Sequence, residues 1–159
     1  MRAAVLLPGV VTIAVPAVIL AAGGTHVGWG AWPVLTVVAG ALVIVAGAAL
    51  WVATVKLFAR EGKGTLAPWD PTQKLVVRGP YRYVRNPMIT GVLTVLGGEA
   101  LVFGSPGILV LAAGFFVANL VWFPLVEEPG LRRRFGDDYE HYRANVPRWI
   151  PRRTPWSQG

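Results

Sequence analysis

The chain contains no cysteine. Disulfides, thiolate nucleophiles and cysteine-based metal sites are therefore excluded, and cysteine usage says nothing of the redox compartment. Histidine is nearly absent too: His26 and His141 are too few and too far apart for a zinc site. Charge is the third scarcity. Asp, Glu, Lys and Arg make up 14% of the 159 residues, where a soluble domain carries roughly 25%. Acids are the scarcer sign, 8 against 15 bases, for a net charge of +7. A basic balance is compatible with nucleic acid as a partner, but its placement argues against one. After Arg2 the next charged residue is Lys56, which leaves 53 consecutive uncharged positions. A second stretch, Asn86 to Val126, carries only Glu99.

Apolar residues fill these gaps. The hydrophobic fraction is 54% and the mean hydropathy is +0.53. A bilayer core needs roughly 20 apolar residues per helix, so each stretch has room for about two spans. We read an all-α, polytopic membrane protein of one domain, with about four transmembrane helices and a cytoplasmic C-terminal helical tail.

The first span is expected at about residues 3–22. Its apolar run is long for the core of a secretory leader, which is usually about 7–15 residues. Gly23 to Pro33 is an uncharged turn with Trp29 and Trp32, side chains common at a membrane interface. The second span is expected at about 34–58. Its Gly40, Ala41, Ala46, Gly47, Ala48 and Ala49 are small enough to let helices approach closely, and such a stripe is compatible with a homodimer. A polar, basic loop follows over 59–86. Asn86 and Pro87 read as the N-cap and first position of a third span, about 87–103. Gly104-Ser105-Pro106-Gly107 is a turn before a fourth span, about 108–126. In the tail, 127–159, Leu131, Phe135, Tyr139 and Tyr142 recur at helical spacing, with a break expected at Gly136. The loop and tail carry 13 of the 15 basic residues and the two other turns carry none. By the positive-inside rule, loop, tail and N-terminus lie on the cytoplasmic side of what we read as a bacterial inner membrane.

One consequence concerns chemistry. Two antiparallel spans return the chain to the face it left. Arg85-Asn86-Pro87, before span three, and Glu127-Glu128, after span four, should meet at the cytoplasmic surface. Arginine can hold a carboxylate through paired hydrogen bonds, and a helix start offers free N–H groups. Glu127 and Glu128 can accept bonds from a diol, attract a cation or take a proton. Plainer roles stay open: arginines and tyrosines as membrane anchors, and the two glutamates as helix-start acids. Arg132-Arg133-Arg134 reads as a solvated or lipid-phosphate-facing surface. Glu99 reads as either an intramembrane functional carboxylate or an interfacial one. Asn119 is expected to bond to a neighbouring helix.

GPYRYVRNPMITG followed by VEEPGLRRRFGDDYEHYRANVPRWIP resembles the isoprenylcysteine carboxyl methyltransferase family. That family belongs to a wider group of integral-membrane methyltransferases that includes phospholipid N-methyltransferases. The matching residues are Gly79, Pro80, Tyr81, Arg85, Pro87 and Gly91, then Glu127, Glu128, Leu131, Phe135, Gly136, Tyr139 and Tyr142, and finally Val146, Pro147 and Pro151. The resemblance covers about half the chain. The chain departs from the pattern at Asn86, where the family has histidine, and at Ile89, where it has tyrosine. Asparagine keeps a hydrogen-bonding role but cannot titrate near neutral pH.

The resemblance implies S-adenosylmethionine as methyl donor, S-adenosylhomocysteine as product, and a lipophilic, membrane-embedded acceptor such as an isoprenoid or lipid. It implies Arg85 for the methionine carboxylate and Asn86, Glu127 and Glu128 for amino or ribose groups. Leu131, Tyr139, Pro147, Trp149 and Ile150 would enclose the adenine. Glu128 and Arg85 are the catalytic candidates, with Glu99 a second candidate base. No metal is implied. The two departures define the alternative, an inactive membrane scaffold that keeps the fold. A third reading, a small transporter, would use Glu99 as its coupling carboxylate.

Overall fold

The computed structural model describes residues 8–23, 26–62 and 74–157. The beginning of the first expected span, residues 63–73 of the loop and the last two residues of the tail lie outside them. Every described element is helical. A π-helical turn, Val10–Ala14, leads into α1, Val15–Gly23. Then come α2, Pro33–Leu57, α3, Pro87–Val102, α4, Pro106–Trp122, and α5, Glu128–Asn145.

Local chemistry sets the helix boundaries. Proline stands in the first turn of α2, α3 and α4, where its missing N–H costs nothing and its fixed φ is helical. Ser105 caps α4, its hydroxyl accepting from the Ile108 N–H at 3.3 Å. Asn86 holds the N-cap position of α3, but its side chain makes no capping bond. That part of the sequence reading is corrected; its backbone carbonyl instead accepts from Thr90.

Among the described residues two helices are long and apolar enough to cross a bilayer: α2, and α4 continuing into α5. The 16 residues of α3 extend about 24 Å at 1.5 Å per residue, short of a hydrocarbon core of roughly 30 Å. The structure thus supports two spans by length, where four were expected.

The most extensive contact in the molecule joins α2 to α3, and glycine makes it close. The buried positions of α2 are Gly40, Gly47 and Thr54, seven residues apart on one narrow seam. A Cβ on Gly40 would lie 2.7 Å from the Gly98 carbonyl oxygen, and one on Gly47 would lie 2.8 Å from that of Gly91. The two backbones therefore run antiparallel in direct contact. The small residues that suggested a dimer are spent, at Gly40 and Gly47, within the chain. The rest of α2 turns outward, with Leu35, Val38, Leu42 and Val45 exposed, as suits a lipid-facing helix.

At one end the α1–α2 turn latches onto the end of α3. Gly28 N–H bonds the Val102 carbonyl at 2.9 Å, and the Trp29 indole bonds the Ala100 carbonyl at 2.6 Å. A core of Val92, Leu96, Ala100, Ile108 and Ala112 joins α3 to α4. Asn119, expected to bridge helices, donates instead to the Phe115 carbonyl of its own helix at 2.7 Å.

Between α4 and α5 the chain passes through a π-helical turn, Phe123–Glu127. Pro124 within it has no N–H for the regular ladder, a common cause of such an irregularity. The helix continues beyond it and kinks at Gly136, where φ is +50° and ψ is −127°. The break expected at Gly136 is present, and its positive φ accounts for glycine there.

Candidate functional site

The loop corner before α3 and the tail after α4 do meet. The corner is built first. Gly79 turns the chain with φ +53° into a 3₁₀ turn, Gly79–Arg82. Tyr81 is buried against Phe58, with ring centroids 5.2 Å apart. Its carbonyl receives the Tyr142 hydroxyl at 2.8 Å, fastening the corner to α5. Burial pushes both phenols above their ordinary range, so Tyr142 stays protonated and able to donate.

The chain after α5 then doubles back along the corner. Arg85 N–H bonds the Pro147 carbonyl, Arg152 N–H the Tyr83 carbonyl, and Trp156 N–H the Arg82 carbonyl, each at 2.9 Å. The Arg82 guanidinium returns a bond to the Trp156 carbonyl at 2.7 Å. Trp156 seals this strap by packing with Tyr139, Tyr142 and Val146.

Glu128 lies at the centre, its side chain 7% exposed. Its Oε1 accepts from Arg85 Nη1 at 2.9 Å and from Arg148 Nε and Nη2 at 3.0 and 2.6 Å. Arg143 Nε approaches Oε2 at 3.6 Å. Arg85 also donates to the Tyr139 hydroxyl at 3.3 Å. Burial and the nearby Glu128 raise the Tyr139 phenol, against the pull of Arg85 and Arg148. Three buried donors of the candidate residues are left over: Arg85 Nε, Asn86 Nδ2 and Trp149 Nε1 have no hydrogen-bond partner among the described residues. Unpaired donors at a buried site are costly unless a ligand or water completes them.

The other candidate residues divide. Glu127, beside Glu128, makes none of the bonds that join Glu128 to Arg85, Arg148 and Arg143: burial raises its carboxyl above the ordinary range, and Arg134 opposes that shift. Leu131 packs against the buried Tyr139 cluster. Pro147 contributes its carbonyl to Arg85. Trp149 stacks edge-on to Phe116 and Phe123 of the α4 end, at 5.1 and 6.2 Å. Ile150 is 80% exposed. Tyr139 and Leu131 therefore belong to a packed wall, Trp149 is half-buried against the end of α4, and Ile150 is exposed. Glu99 lies 13 residues beyond Asn86 on α3, about 20 Å along the axis. It is remote from Glu128 and so is no candidate base for this site.

Arg148 and Arg143 were not singled out from the sequence. Arg148 sits between Pro147 and Trp149, both of which were, and a basic residue within that closing V-P-R-W-I-P segment was the available signal. Arg143 reads as one more charge on a helix surface. Only the return of the tail over the corner brings either to Glu128.

Fold and site together define a protein that is all-helical among the described residues, with two helices there long and apolar enough to cross a membrane and a carboxylate-anchored arginine cluster where α3 begins and α5 follows α4. The phospholipid methyltransferase family model matches residues 35–138, and the chain belongs to that family. It thereby falls within the integral-membrane methyltransferases, the wider group its motifs resembled. Phospholipid N-methyltransferases use S-adenosylmethionine as methyl donor. The chain is similar to a phosphatidylethanolamine N-methyltransferase of Yarrowia lipolytica, 32% identical over 72 residues. It is also similar to phosphatidylethanolamine N-methyltransferase 1 of Vanderwaltozyma polyspora, 34% identical over 73 residues. Each match covers 45% of this chain but only 8% and 9% of the respective relatives. No solved structure matches the chain.

Proposed function

We propose that the chain transfers a methyl group from S-adenosylmethionine to the amine of a phospholipid headgroup at the cytoplasmic membrane surface. Family membership supports the reaction class. The observation that carries the site is the Arg85–Glu128–Arg148 cluster, assembled from segments 43 and 20 positions apart. The resemblance to the isoprenylcysteine enzymes involves these same motifs, and we take it to concern the cofactor end of the site rather than the acceptor.

The residues present suit the cofactor. A methionine carboxylate would complete the free N–H of Arg85 and the amide of Asn86, two donors that are buried and unpartnered. Glu128 Oε2 accepts no hydrogen bond from the described residues and suits an ammonium or ribose hydroxyl. Asn86 meets this need by hydrogen bonding alone, so the departure from histidine costs the site no contact that requires a proton to move.

When bound, the cofactor supplies an electrophilic methyl on a sulfonium centre. The protein's contribution is positional. Glu128 fixes Arg85 and Arg148, Tyr139 accepts from the same Arg85 Nη1, and the strap carries Pro147 over the corner. Glu128 Oε1 already accepts three N–H donors, which makes Glu128 an anchor rather than a proton acceptor. Within this reading four spans, with both termini cytoplasmic, remain the arrangement that places the site on the positively charged side.

Calorimetric titration of the detergent-purified protein with S-adenosylhomocysteine tests the proposal. The wild type is expected to bind saturably. A Glu128→Ala variant, which strands Arg85 and Arg148 beside each other, is expected to lose at least tenfold in affinity. A folded wild-type protein that binds nothing would sink the reading and bring forward the inactive scaffold.

A further inference from the structure

The charges around Glu128 do not balance. Its carboxylate is shared by Arg85, Arg148 and Arg143. Arg143 also pairs with Glu140, which pairs in turn with Arg132. Four guanidiniums thus meet two carboxylates, an excess of two positive charges. Glu127 does not correct this, since its own cationic neighbour is Arg134. The cofactor of the proposed reaction does not correct it either. One carboxylate, one ammonium and one sulfonium sum to +1, so its arrival makes the site more positive. An anion entering with it would offset that excess.

The cluster is also graded. Arg85 is deepest, its side chain 11% exposed; Arg148 is 23% and Arg143 is 37% exposed. The inner guanidinium and the neighbouring Asn86 amide each keep an unpartnered buried donor, which the proposed cofactor would complete. The outer two are the more exposed, and Arg148 is followed directly in the chain by Trp149 and Ile150. Trp149 lies against Phe116 and Phe123, and Ile150 and Leu125, each two residues from a member of that group or of the cluster, are exposed at 80% and 70%. Guanidiniums next to exposed apolar side chains match a ligand with a phosphate at one end and hydrocarbon at the other.

We infer that Arg148 and Arg143 bind the phosphodiester of the acceptor lipid and so determine which amines are methylated. This rests on the reading of the chain as an aminophospholipid methyltransferase and adds to it a specificity element and a means of activation. An ammonium must lose its proton to water before it can attack. Guanidiniums and a sulfonium nearby favour that loss, because like charge destabilises the protonated amine. The deprotonated aminophospholipid then carries one net negative charge on its phosphate, the sign the site lacks. The amine lone pair forms the new N–C bond, the C–S bond breaks, and its electron pair stays on sulfur. No protein base is needed, consistent with a Glu128 whose Oε1 is committed to arginine.

The test compares two acceptors in neutral detergent micelles: an aminophospholipid, and a long-chain alkylamine without phosphate. The wild type is expected to prefer the phospholipid. Arg143→Gln and Arg148→Gln are each expected to raise its KM about tenfold, the value of one lost charge-assisted hydrogen bond. The alkylamine KM should not move in Arg143→Gln, and Arg148→Lys should recover part of the phospholipid loss seen in Arg148→Gln. Arg143→Gln should keep S-adenosylhomocysteine affinity within about twofold, since its approach to Glu128 is the longest of the three. A KM unmoved by either variant, or raised equally for both acceptors, overturns the inference. Line broadening in ³¹P spectra gives a readout independent of turnover. With S-adenosylhomocysteine bound, glycerophosphoethanolamine should broaden with wild type and not with Arg143→Gln. Equal broadening with both proteins, or with neither, overturns the assignment; broadening of inorganic phosphate alone would make this a free-anion site and reject the lipid. Failure of wild type to bind S-adenosylhomocysteine would instead strike the underlying methyltransferase reading.

Discussion

Glu127 and Glu128 are neighbours with opposite surroundings. Glu128 is wrapped in guanidinium, while Glu127 is half buried with its carboxyl raised, because burial outweighs Arg134. A carboxyl that holds its proton more tightly folded than unfolded weakens the fold as pH rises from the ordinary carboxylate range, about 4.3, through its raised value. Glu127→Gln is therefore expected to raise the thermal unfolding midpoint at pH 7 in the ligand-free protein. That advantage should vanish when both proteins are melted near pH 4, where the native glutamate is already neutral. An unfolding midpoint lower than wild type at pH 7 would mean that the Arg134 attraction dominates. Nothing in the sequence separates these two glutamates. Their difference comes from the π-helical turn that ends at Glu127 and from the tail arginines that return to Glu128.

Among the elements, α2 and α3 carry the tightest constraint. Both were expected as helices, with nearly these boundaries, from their apolar runs, from Pro33 and Pro87, and from the turns that follow. Their pairing was not legible, because glycines in a membrane helix serve a partner chain and a neighbouring helix equally well. The backbone contact at Gly98 decides it. Gly98→Ala would place a Cβ 2.7 Å from the Gly40 carbonyl oxygen and the Ile44 side chain. Thermal unfolding in detergent should show a loss of about 1–3 kcal/mol, the usual cost of overpacking. Gly97→Ala, one residue away with open space at its Cβ, should stay within about 1 kcal/mol of wild type. Equal effects would remove the close-contact explanation. Asn119 shows the opposite limit: a polar residue in an apolar helix invites a cross-helix bond, but its own helix offers a carbonyl one turn back at 2.7 Å.

In the whole molecule, the site depends on the last segment of the chain closing over the corner. The family match ends at residue 138, before Tyr139, Tyr142, Arg143, Arg148 and the strap. Trp156 is the clasp, 8% exposed and packed on Tyr142 and His141 at 5.7 and 5.5 Å. Trp156→Ala is expected to cost about 3 kcal/mol of stability, the lower end for a buried tryptophan. It should also speed hydrogen exchange at the Arg85 amide, which bonds the Pro147 carbonyl. Unchanged exchange there would show that the corner holds its shape without the strap.

The sequence by itself determined the helical membrane class, the polar loop and tail, the Gly136 break and the two motif segments. It could also bring Arg85 and Glu128 to one face, because hydrophobicity, periodicity and chain reversal are properties of local pattern. Tertiary structure alone decided that α2 and α3 meet backbone to backbone. It decided that Arg143 and Arg148 share Glu128 with Arg85 and that Glu127 stands apart from them. Each of these depends on where a side chain points after distant segments have packed, and neither spacing nor composition encodes that direction.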